Sequence, residues 1–303
     1  MSLSWEQLLD EVGQRYRRRQ PLLREIEAVI GRRVVSYFIS LRDAVAMVDD
    51  GDSDVLEEAL RGMDLSSGLT LLINAPGGDG LAAERIVRIC RSYSRGDFEV
   101  IVPRMAKSAA TMICFGANCI WMSETSELGP VDPQVGWMEQ DRMVRMSARE
   151  LILSYETLLR QAEACQGNVE PYIQQLARYD ARLIETYRTA EALSESIAVG
   201  LLRCAMMRDV PEAEVRERIR PFLEVEQTRS HARAIYHDRA ASCGLQVRLI
   251  QTRSPLWERI WELYLRSSYV VDHGEHAKLV ETAERSFRFA PKGHGPVLVS
   301  EPD

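Results

Sequence analysis

The chain has 303 residues, of which 46% are hydrophobic and 27% charged, and its formal net charge is −7, values typical of a soluble globular protein. An acidic chain has no general attraction for nucleic acid or anionic membranes, and no apolar run reaches the ~18 residues of a membrane span. The six cysteines lack metal-site spacing and the N-terminus lacks signal-peptide character. We therefore expect a cytoplasmic protein with free thiols, no metal and no cofactor.

The first half of the chain predicts helices and strands in alternation. Apolar residues at helical spacing predict helices in the N-terminal segment, and RRVVSYFIS, rich in β-branched and aromatic residues, predicts a strand. The acidic stretch DDGDSDVLEEALRGM predicts a turn and a helix, with Ser53 or Asp54 as the N-cap residue. LTLLIN is almost continuously apolar, which predicts a strand buried on both faces of a parallel sheet.

The same alternation continues beyond the turn APGGDG, with LAAERIVRICRSY as a helix, DFEVIVP as a strand and NCIWMS as a further strand. This order predicts an α/β fold with right-handed crossovers. We expect a helical segment over residues 1–31 and an α/β domain over residues 32–250, interrupted by a helical insertion at about residues 145–223. A C-terminal helix and tail are expected over residues 251–303.

Two glycines, Gly77 and Gly78, lie directly between the predicted buried strand and the next helix. Glycine adopts backbone angles closed to other residues and lets a ligand approach main-chain N–H groups, while the helix N-terminus adds partial positive charge. The pair indicates either a plain tight turn or a site for an anion or a developing oxyanion. It is not a phosphate-binding loop, because neither GxGxxG nor GxxxxGK[ST] is present.

Ser108 follows the next strand at the start of the next predicted helix. Adjacent crossovers of a parallel sheet bring both loops to the same carboxyl edge. Ser108 could therefore attack a carbonyl whose oxygen accepts hydrogen bonds from Gly77 or Gly78 and from Ala109. The alternative is that Ser108 only caps the helix, since serine is a favoured N-cap residue. SAAT is not the GxSxG elbow of the α/β-hydrolases.

The blocks INAPGG, IVPRMAKSAATMI and ELGPVDPQV resemble the serine dehydrogenase proteinase family, relatives of signal peptide peptidase A within the Clp protease and crotonase-like superfamily. The acidic MVDDGDSDVLEEAL and the later SHARAI are also similar to that family's pattern. The resemblance runs from about Arg32 to Leu265 and is densest between Leu69 and Val135. It implies an α/β fold with a Clp protease/crotonase-like core of stacked ββα units and added helical segments.

The resemblance also implies a serine peptidase with Ser108 as nucleophile and an oxyanion hole made by Gly77, Gly78 and Ala109. It implies a peptide or protein substrate and a homo-oligomer with shielded active sites, and it leaves open whether a partner protein delivers the substrate. Two residues depart from the family pattern: Lys107 stands where the family has methionine, and SAA replaces SAG.

The base that would activate Ser108 is not evident. No lysine occurs between Ser108 and Lys278, and no histidine precedes His231. His231, whose ordinary pKa is near neutrality, is one candidate base, and Lys107 is another candidate or a polarising charge. Asp132, near the position of the Clp family's histidine, is a candidate orienting residue. Purely structural roles for His231 and Asp132 are the alternatives.

Three functions remain open at this point. The first is a serine peptidase that acts through an acyl-enzyme. The second is a catalytically inactive scaffold or peptide-binding protein that uses the helices of residues 145–223. The third is a crotonase-like acyl-CoA enzyme, which would use the same oxyanion hole with a glutamate acid/base, Glu84 or Glu127.

Overall fold

The structure is a computed structural model that describes residues 16–139, 142–224, 233–274, 276–289 and 297–298. After a short 3-10 helix at Tyr16–Arg18, the helices are α1 Gln20–Ile30, α2 Asp50–Leu60, α3 Gly80–Tyr93, α4 Ala109–Phe115, α5 Ala148–Ala164, α6 Glu170–Leu176, α7 Ala181–Cys204, α8 Glu212–Arg218, α9 Arg220–Leu223, α10 His237–Ser242 and α11 Pro255–His273. The strands are β1 Arg33–Ile39, β2 Leu69–Asn74, β3 Phe98–Val102, β4 Met105–Ala106, β5 Ile120–Met122, β6 Glu127–Leu128, β7 Gln134–Glu139, β8 Arg142–Ser147, β9 Val247–Leu249, β10 Lys278–Glu281, β11 Ser286–Phe289 and β12 Val297–Leu298.

A central mixed sheet with the strand order β12-β11-β10-β1-β2-β3-β5-β9 organises the fold. The five strands from β1 to β9 in this order are parallel, and β10, β11 and β12 are antiparallel to their neighbours. β2 is buried over its whole length, as its continuous apolar sequence predicts. The predicted α/β fold with a largely parallel sheet is confirmed.

The expected ββα unit is visible at β3, β4 and α4. β3 belongs to the central sheet, whereas β4 leaves it and pairs in parallel with β6 in a separate two-stranded sheet. The chain then enters α4, which packs against α3. This arrangement carries the start of α4 to the carboxyl edge of the central sheet, beside the turn that follows β2.

Side chains from the two faces of the sheet enter two separate cores. Along β1, Val35, Tyr37 and Ile39 point to the core formed with α2, α3 and α4, while Val34 and Phe38 point to the core formed with α1 and α11. The period-two alternation of a strand buried on both faces produces this division.

Two features differ from the sequence expectation. The N-cap of α2 is Asp49, whose side chain accepts a hydrogen bond from Gly51 while Asp52 bonds back to the Asp49 N–H. The predicted cap at Ser53 or Asp54 is therefore wrong, because the helix begins one turn earlier with a reciprocal capping box. In addition, the segment beyond residue 274 supplies β10 to β12 to the central sheet, where the sequence pattern indicates only a tail.

The helical insertion begins after the β7–β8 hairpin. α5 packs against α6 and α7, and α7 continues onto the α/β core, where it contacts α3 and α4. One long helix thus joins the insertion to the carboxyl edge of the sheet. Among the described residues, none of the helices has both the length and the apolar character needed to cross a membrane.

Candidate active site

The turn between β2 and α3 requires glycine at two successive positions. Gly77 has φ +116° and Gly78 has φ +152°, angles that side-chain-bearing residues rarely adopt. A Cβ on Gly77 would lie 2.8 Å from the Cβ of Ser108, and one on Gly78 would lie 2.2 Å from the carbonyl oxygen of Val48. The turn is therefore in close contact with the main chain of Val48 on one side and with Ser108 on the other.

Main-chain hydrogen bonds fix the orientation of this turn. The Val48 N–H donates to the Gly77 carbonyl at 2.8 Å, and the Asp79 N–H donates to the Val48 carbonyl at 2.9 Å. The Gly77–Gly78 peptide is trans, so its C=O and N–H point in opposite directions. The Gly78 N–H consequently points away from Val48, and no described residue accepts a hydrogen bond from it.

Ser108 adopts an unusual backbone conformation, with φ +49° and ψ −117°. Within the described residues, Arg95 is the only other residue besides glycine with positive φ. Ser108 occupies the N-cap position of α4, but its side chain makes no capping hydrogen bond to the helix. Three main-chain bonds hold the strained residue: Lys107 N–H to Ala75, Ala110 N–H to Lys107 and Met112 N–H to Ser108. Such strain is characteristic of functional sites.

Ala109 is the first residue of α4 and is buried directly behind Ser108. Its N–H belongs to the first turn of the helix, which has no intrahelical acceptor, and none of the described side chains or carbonyls accepts from it. The structure thus places Gly77 in contact with Ser108, and the N–H groups of Gly78 and Ala109 have no acceptor among the described residues.

A cleft of about 880 Å³ opens at this point and is lined by both Gly78 and Ser108. Its walls are mainly apolar and include Met47, Leu81, Met112, Val135, Leu193 and Ile197. Among the described residues, its charged lining consists of Asp49 and Asp79. Leu193 and Ile197 belong to α7, so the helical insertion forms one wall of the cleft. The role of Leu193 and Ile197 in the cleft is not predicted above, although their i, i+4 spacing indicates an apolar helix face.

Lys107 does not line this cleft. Its ammonium lies 3.1 Å from the Glu127 carboxylate and donates to the Leu128 carbonyl at 3.2 Å. Its stem packs on Gly129, where a Cβ would lie 2.5 Å from the lysine Cδ. Every polar contact that the structure gives this ammonium is therefore with β6 and not with Ser108.

Asp132 is buried and accepts a hydrogen bond from the side-chain amide of Gln134 at 3.3 Å. It lines a smaller pocket of about 310 Å³, in which Arg149 pairs with Glu191 at 2.9 Å. This charged pocket adjoins the cleft, since Val131 and Ser194 line both. The structure thus places Asp132 behind the cleft wall and not on the Ser108 side.

His231 lies outside the described residues. Further along the chain, the buried residue Ile235 exchanges two main-chain hydrogen bonds with Leu128 at 2.9 and 3.0 Å. Leu128 is the strand residue paired with Ala106, two positions before Ser108. Ile235, four positions after His231, therefore pairs with β6, the strand next to β4, which precedes Ser108.

The two glutamates proposed for an acyl-CoA reaction lie elsewhere. Glu84, on α3, pairs with Arg88 at 3.2 Å and faces a groove between α3 and α7. Glu127 pairs with Lys107. Neither lines the cleft that contains Ser108.

A buried ionic cluster beside the cleft was not anticipated. The Lys278 ammonium lies 2.7 Å from Asp49 and 2.8 Å from Asp52, and the Tyr37 hydroxyl donates to Asp52. Burial and then the charge of Asp52 raise the pKa of Tyr37 well above its ordinary value, so Tyr37 remains a hydrogen-bond donor. The acidic stretch before α2 carries a sequence signal for this cluster, but its partner Lys278 is too distant in sequence to be identified.

Comparison with known proteins supports the resemblance seen in the motifs. Residues 11–152 match the model of a family described as ClpP-like SDH-type serine proteinase, which confirms the resemblance over the segment that carries the site. Two uncharacterized proteins of Methanocaldococcus jannaschii are also similar. One is 39% identical over 85 residues, covering 28% of this chain and 29% of that protein. The other is 32% identical over 136 residues, covering 42% and 46%. The matched segment thus spans less than half of either relative.

Solved structures that show some similarity to this chain include two forms of a 1510-N membrane-bound stomatin-specific protease. A serine-to-alanine mutant is 13% identical, with a TM-score of 0.29, and the match covers 67% of this chain and 92% of that one. A lysine-to-alanine mutant in complex with a substrate peptide is 13% identical, with a TM-score of 0.30 and coverages of 73% and 93%. An enoyl-CoA hydratase from Mycobacterium avium subsp. paratuberculosis K-10 is 15% identical, with a TM-score of 0.26 and coverages of 66% and 94%. These overall superpositions are loose, so the fold assignment rests on the sheet order and the family match.

Proposed function

We propose, from the match of residues 11–152 to the model of a family described as ClpP-like SDH-type serine proteinase, that this chain is a serine peptidase with Ser108 as its nucleophile. The proposal is carried by the conformation and the position of Ser108, whose hydroxyl is the proposed nucleophile. It belongs to a residue held at φ +49°, makes no capping bond, and lines a cleft together with Gly78. A serine hydroxyl that is not used as a cap, in a cleft shared with an N–H that has no acceptor among the described residues, supports a role in acyl transfer.

The proposed reaction proceeds in two stages. The Ser108 oxygen attacks the carbonyl carbon of a peptide bond and gives its proton to a base. The resulting oxyanion accepts hydrogen bonds from the N–H groups of Gly78 and Ala109. Collapse of this intermediate expels the amine, which takes up the proton, and leaves an acyl-enzyme. In the second stage the same base takes a proton from water, which attacks the acyl-enzyme. The carboxylic acid product is released, and Ser108 regains its proton.

We propose His231 as the base, because its ordinary pKa suits proton transfer near neutral pH. Lys107 is the second candidate, but its ion pair with Glu127 would first have to break. Asp132 can orient the imidazole of His231 only if His231 reaches the part of the cleft wall beside Asp132. The matched variants H231A, K107M and D132N separate these assignments.

The cleft also indicates a class of substrate. Its walls are apolar around Met112, Leu193 and Ile197. The charged groups among its described lining residues are the carboxylates of Asp49 and Asp79. Apolar side chains gain free energy by burial there, and acidic ones are repelled. We therefore propose unfolded peptide segments with apolar residues as substrates, cleaved by a homo-oligomer as the family resemblance implies. Light scattering on the purified protein measures the oligomeric state.

One observation favours a second candidate function. None of the described side chains that line the cleft is a base in contact with Ser108. If His231 also lies far from the site, the same cleft would bind peptides without cleaving them, as an inactive scaffold would.

A fluorophosphonate probe distinguishes the two functions, because it forms a covalent bond only with an activated serine. We expect labelling of the wild-type protein, none of S108A, and a large loss in H231A. K107M and D132N test the second candidate base and the candidate orienting residue in the same assay. A folded wild-type protein labelled no faster than S108A would refute the peptidase proposal. Binding of an apolar fluorescent peptide by that same protein would then support the scaffold.

A further inference from the structure

Lys278 is a buried cation that takes no direct part in the proposed reaction. It is the first residue of β10, and its ammonium contacts the carboxylates of Asp49 and Asp52 at 2.7 and 2.8 Å. Its side chain is fully buried, as is that of Asp52. Tyr37 completes the cluster through its bond to Asp52. Replacing buried ion pairs by apolar groups is often neutral or stabilising, so fold stability alone does not explain why a lysine is present here.

The cluster is connected to the glycine turn through one residue. Asp49 directly follows Val48, and the Asp49 N–H also donates to Asp52 at 2.9 Å. Val48 donates to the Gly77 carbonyl and accepts from the Asp79 N–H. These contacts form a continuous path from the Lys278 ammonium to the two peptide groups that flank Gly78.

The path leaves little freedom for the turn. A Cβ on Gly78 would lie 2.2 Å from the Val48 oxygen and 2.5 Å from its nitrogen. A displacement of the Val48 main chain must therefore move the Gly77–Gly78 peptide. Because the Val48 N–H holds the Gly77 carbonyl, it also sets the direction of the Gly78 N–H on the opposite side of that peptide.

We propose that Lys278 is a positioning residue, which anchors Asp49 and Asp52 so that the Val48 main chain holds the Gly78 N–H toward the oxyanion. The role in catalysis rests on the proposed function, whereas the effect on the turn does not. A donor to an oxyanion acts mainly in the transition state. Lys278 should therefore affect the turnover number while leaving substrate binding unchanged.

The test uses the full chain with the variants K278M and D49N. D49N removes one carboxylate but keeps a favourable N-cap residue for α2, so it is informative even if K278M does not fold. R19M is the matched control: Arg19 is also a fully buried cation, paired with Glu281 at the far end of the same strand. It removes a buried ion pair at the end of β10 opposite to Lys278, which contacts Asp49.

Hydrogen exchange measured by mass spectrometry reports on the turn without requiring activity. In K278M and D49N, the amides of Val48 and Asp79 should exchange at least tenfold faster than in R19M, compared at equal global stability. Fluorophosphonate labelling of Ser108 should slow at least tenfold in the same two variants and less than threefold in R19M. In hydrolysis of an uncharged apolar peptide by K278M, which keeps the Asp49 carboxylate of the cleft, the loss should lie in kcat, with KM changed less than threefold.

The outcomes are distinguishable. Exchange at Val48 and Asp79 no faster than in R19M overturns the inference, whatever the labelling rate. Faster exchange with undiminished labelling, or with a loss confined to KM, also overturns it, because the anchored turn would then not serve catalysis. An unlabelled wild-type protein whose turn is nevertheless loosened by K278M and D49N would refute the peptidase proposal while supporting the anchoring role of Lys278.

Discussion

Replacing Gly77 with alanine tests the contact between the glycine turn and Ser108. The added Cβ would lie 2.8 Å from the Cβ of Ser108 and 3.0 Å from the Lys107 carbonyl oxygen. Ordinary contact begins at 3.4 Å, so the Gly77 and Ser108 main chains would have to separate by roughly 0.6 Å. Neither contacted atom is the end of a flexible side chain, and the strain therefore falls on the two backbones.

Two measurable effects follow from this displacement. Misplacement of a reacting group by about 1 Å can slow a reaction by about 100-fold, so we expect labelling of Ser108 by the fluorophosphonate to slow by about tenfold or more. Alanine at positive φ costs about 1–2 kcal/mol, and the overpacked contact costs about 1–3 kcal/mol more. The free energy of unfolding, measured with urea, should therefore fall by roughly 2–5 kcal/mol.

Gly31 provides the matched control. It ends α1 at φ +70°, and a Cβ added there meets no atom within 4 Å. G31A therefore introduces strain at positive φ, about 1 kcal/mol, without a new contact and without any effect on labelling. If G77A is still folded at the assay temperature and is labelled as fast as G31A, the added Cβ does not displace Ser108 and the predicted contact is wrong.

Three further results are expected. Because Ser108 is strained and uncapped, S108G should be about 1 kcal/mol more stable to urea than S108A; equal stabilities would contradict the strain. K107M leaves Glu127 without its partner and should lower stability by about 1–3 kcal/mol, while labelling stays within about threefold; complete loss of labelling in a folded variant would instead identify Lys107 as the base. Burial raises the pKa of the Cys90 thiol to about 12 from an ordinary 9.0. The folded thiol thus keeps its proton above pH 9 while the unfolded one loses it, so stability falls with rising pH by about 1.4 kcal/mol per unit. Urea unfolding of C90A should lack that part of the slope, and parallel curves for C90A and wild type would contradict the assignment.

The sequence predicts the part of the site that local backbone chemistry determines. The continuous apolar run of β2 fixes a buried parallel strand, and the two loops that follow β2 and β3 must then meet at one edge of the sheet. Gly77 and Gly78 are identifiable because their conformations exclude other residues. The strained backbone of Ser108 is not predictable in this way, since serine has no intrinsic preference for positive φ.

The remainder of the site depends on contacts between segments distant in the sequence. β10 and β11 are not recognised because Lys278, Glu281 and Ser286 are polar yet buried: KLVE shows no apolar alternation, and SFRF alternates over only four residues. Their burial is compensated by partners on other elements, such as Arg19 for Glu281. The N-cap of α2 is Asp49 and not Ser53 or Asp54, because Asp52 lies in the first turn of the helix, where it completes the capping box and pairs with the buried Lys278. Tertiary ion pairs thus determine structure where hydrophobic patterning fails.

The strain at Ser108 bears on the choice between an active peptidase and a scaffold. A residue other than glycine in a sparsely populated region costs about 1–3 kcal/mol, a sizeable part of the about 5–15 kcal/mol by which domains are stable. The Ser108 side chain gives no capping bond in return, and glycine would adopt the same angles with less strain. A peptide-binding scaffold has no use for the hydroxyl, whereas a nucleophile requires it in the cleft beside the Gly78 N–H. The strained serine therefore favours the peptidase, and the Lys278 cluster next to the turn is the feature expected if the direction of that N–H matters for a reaction.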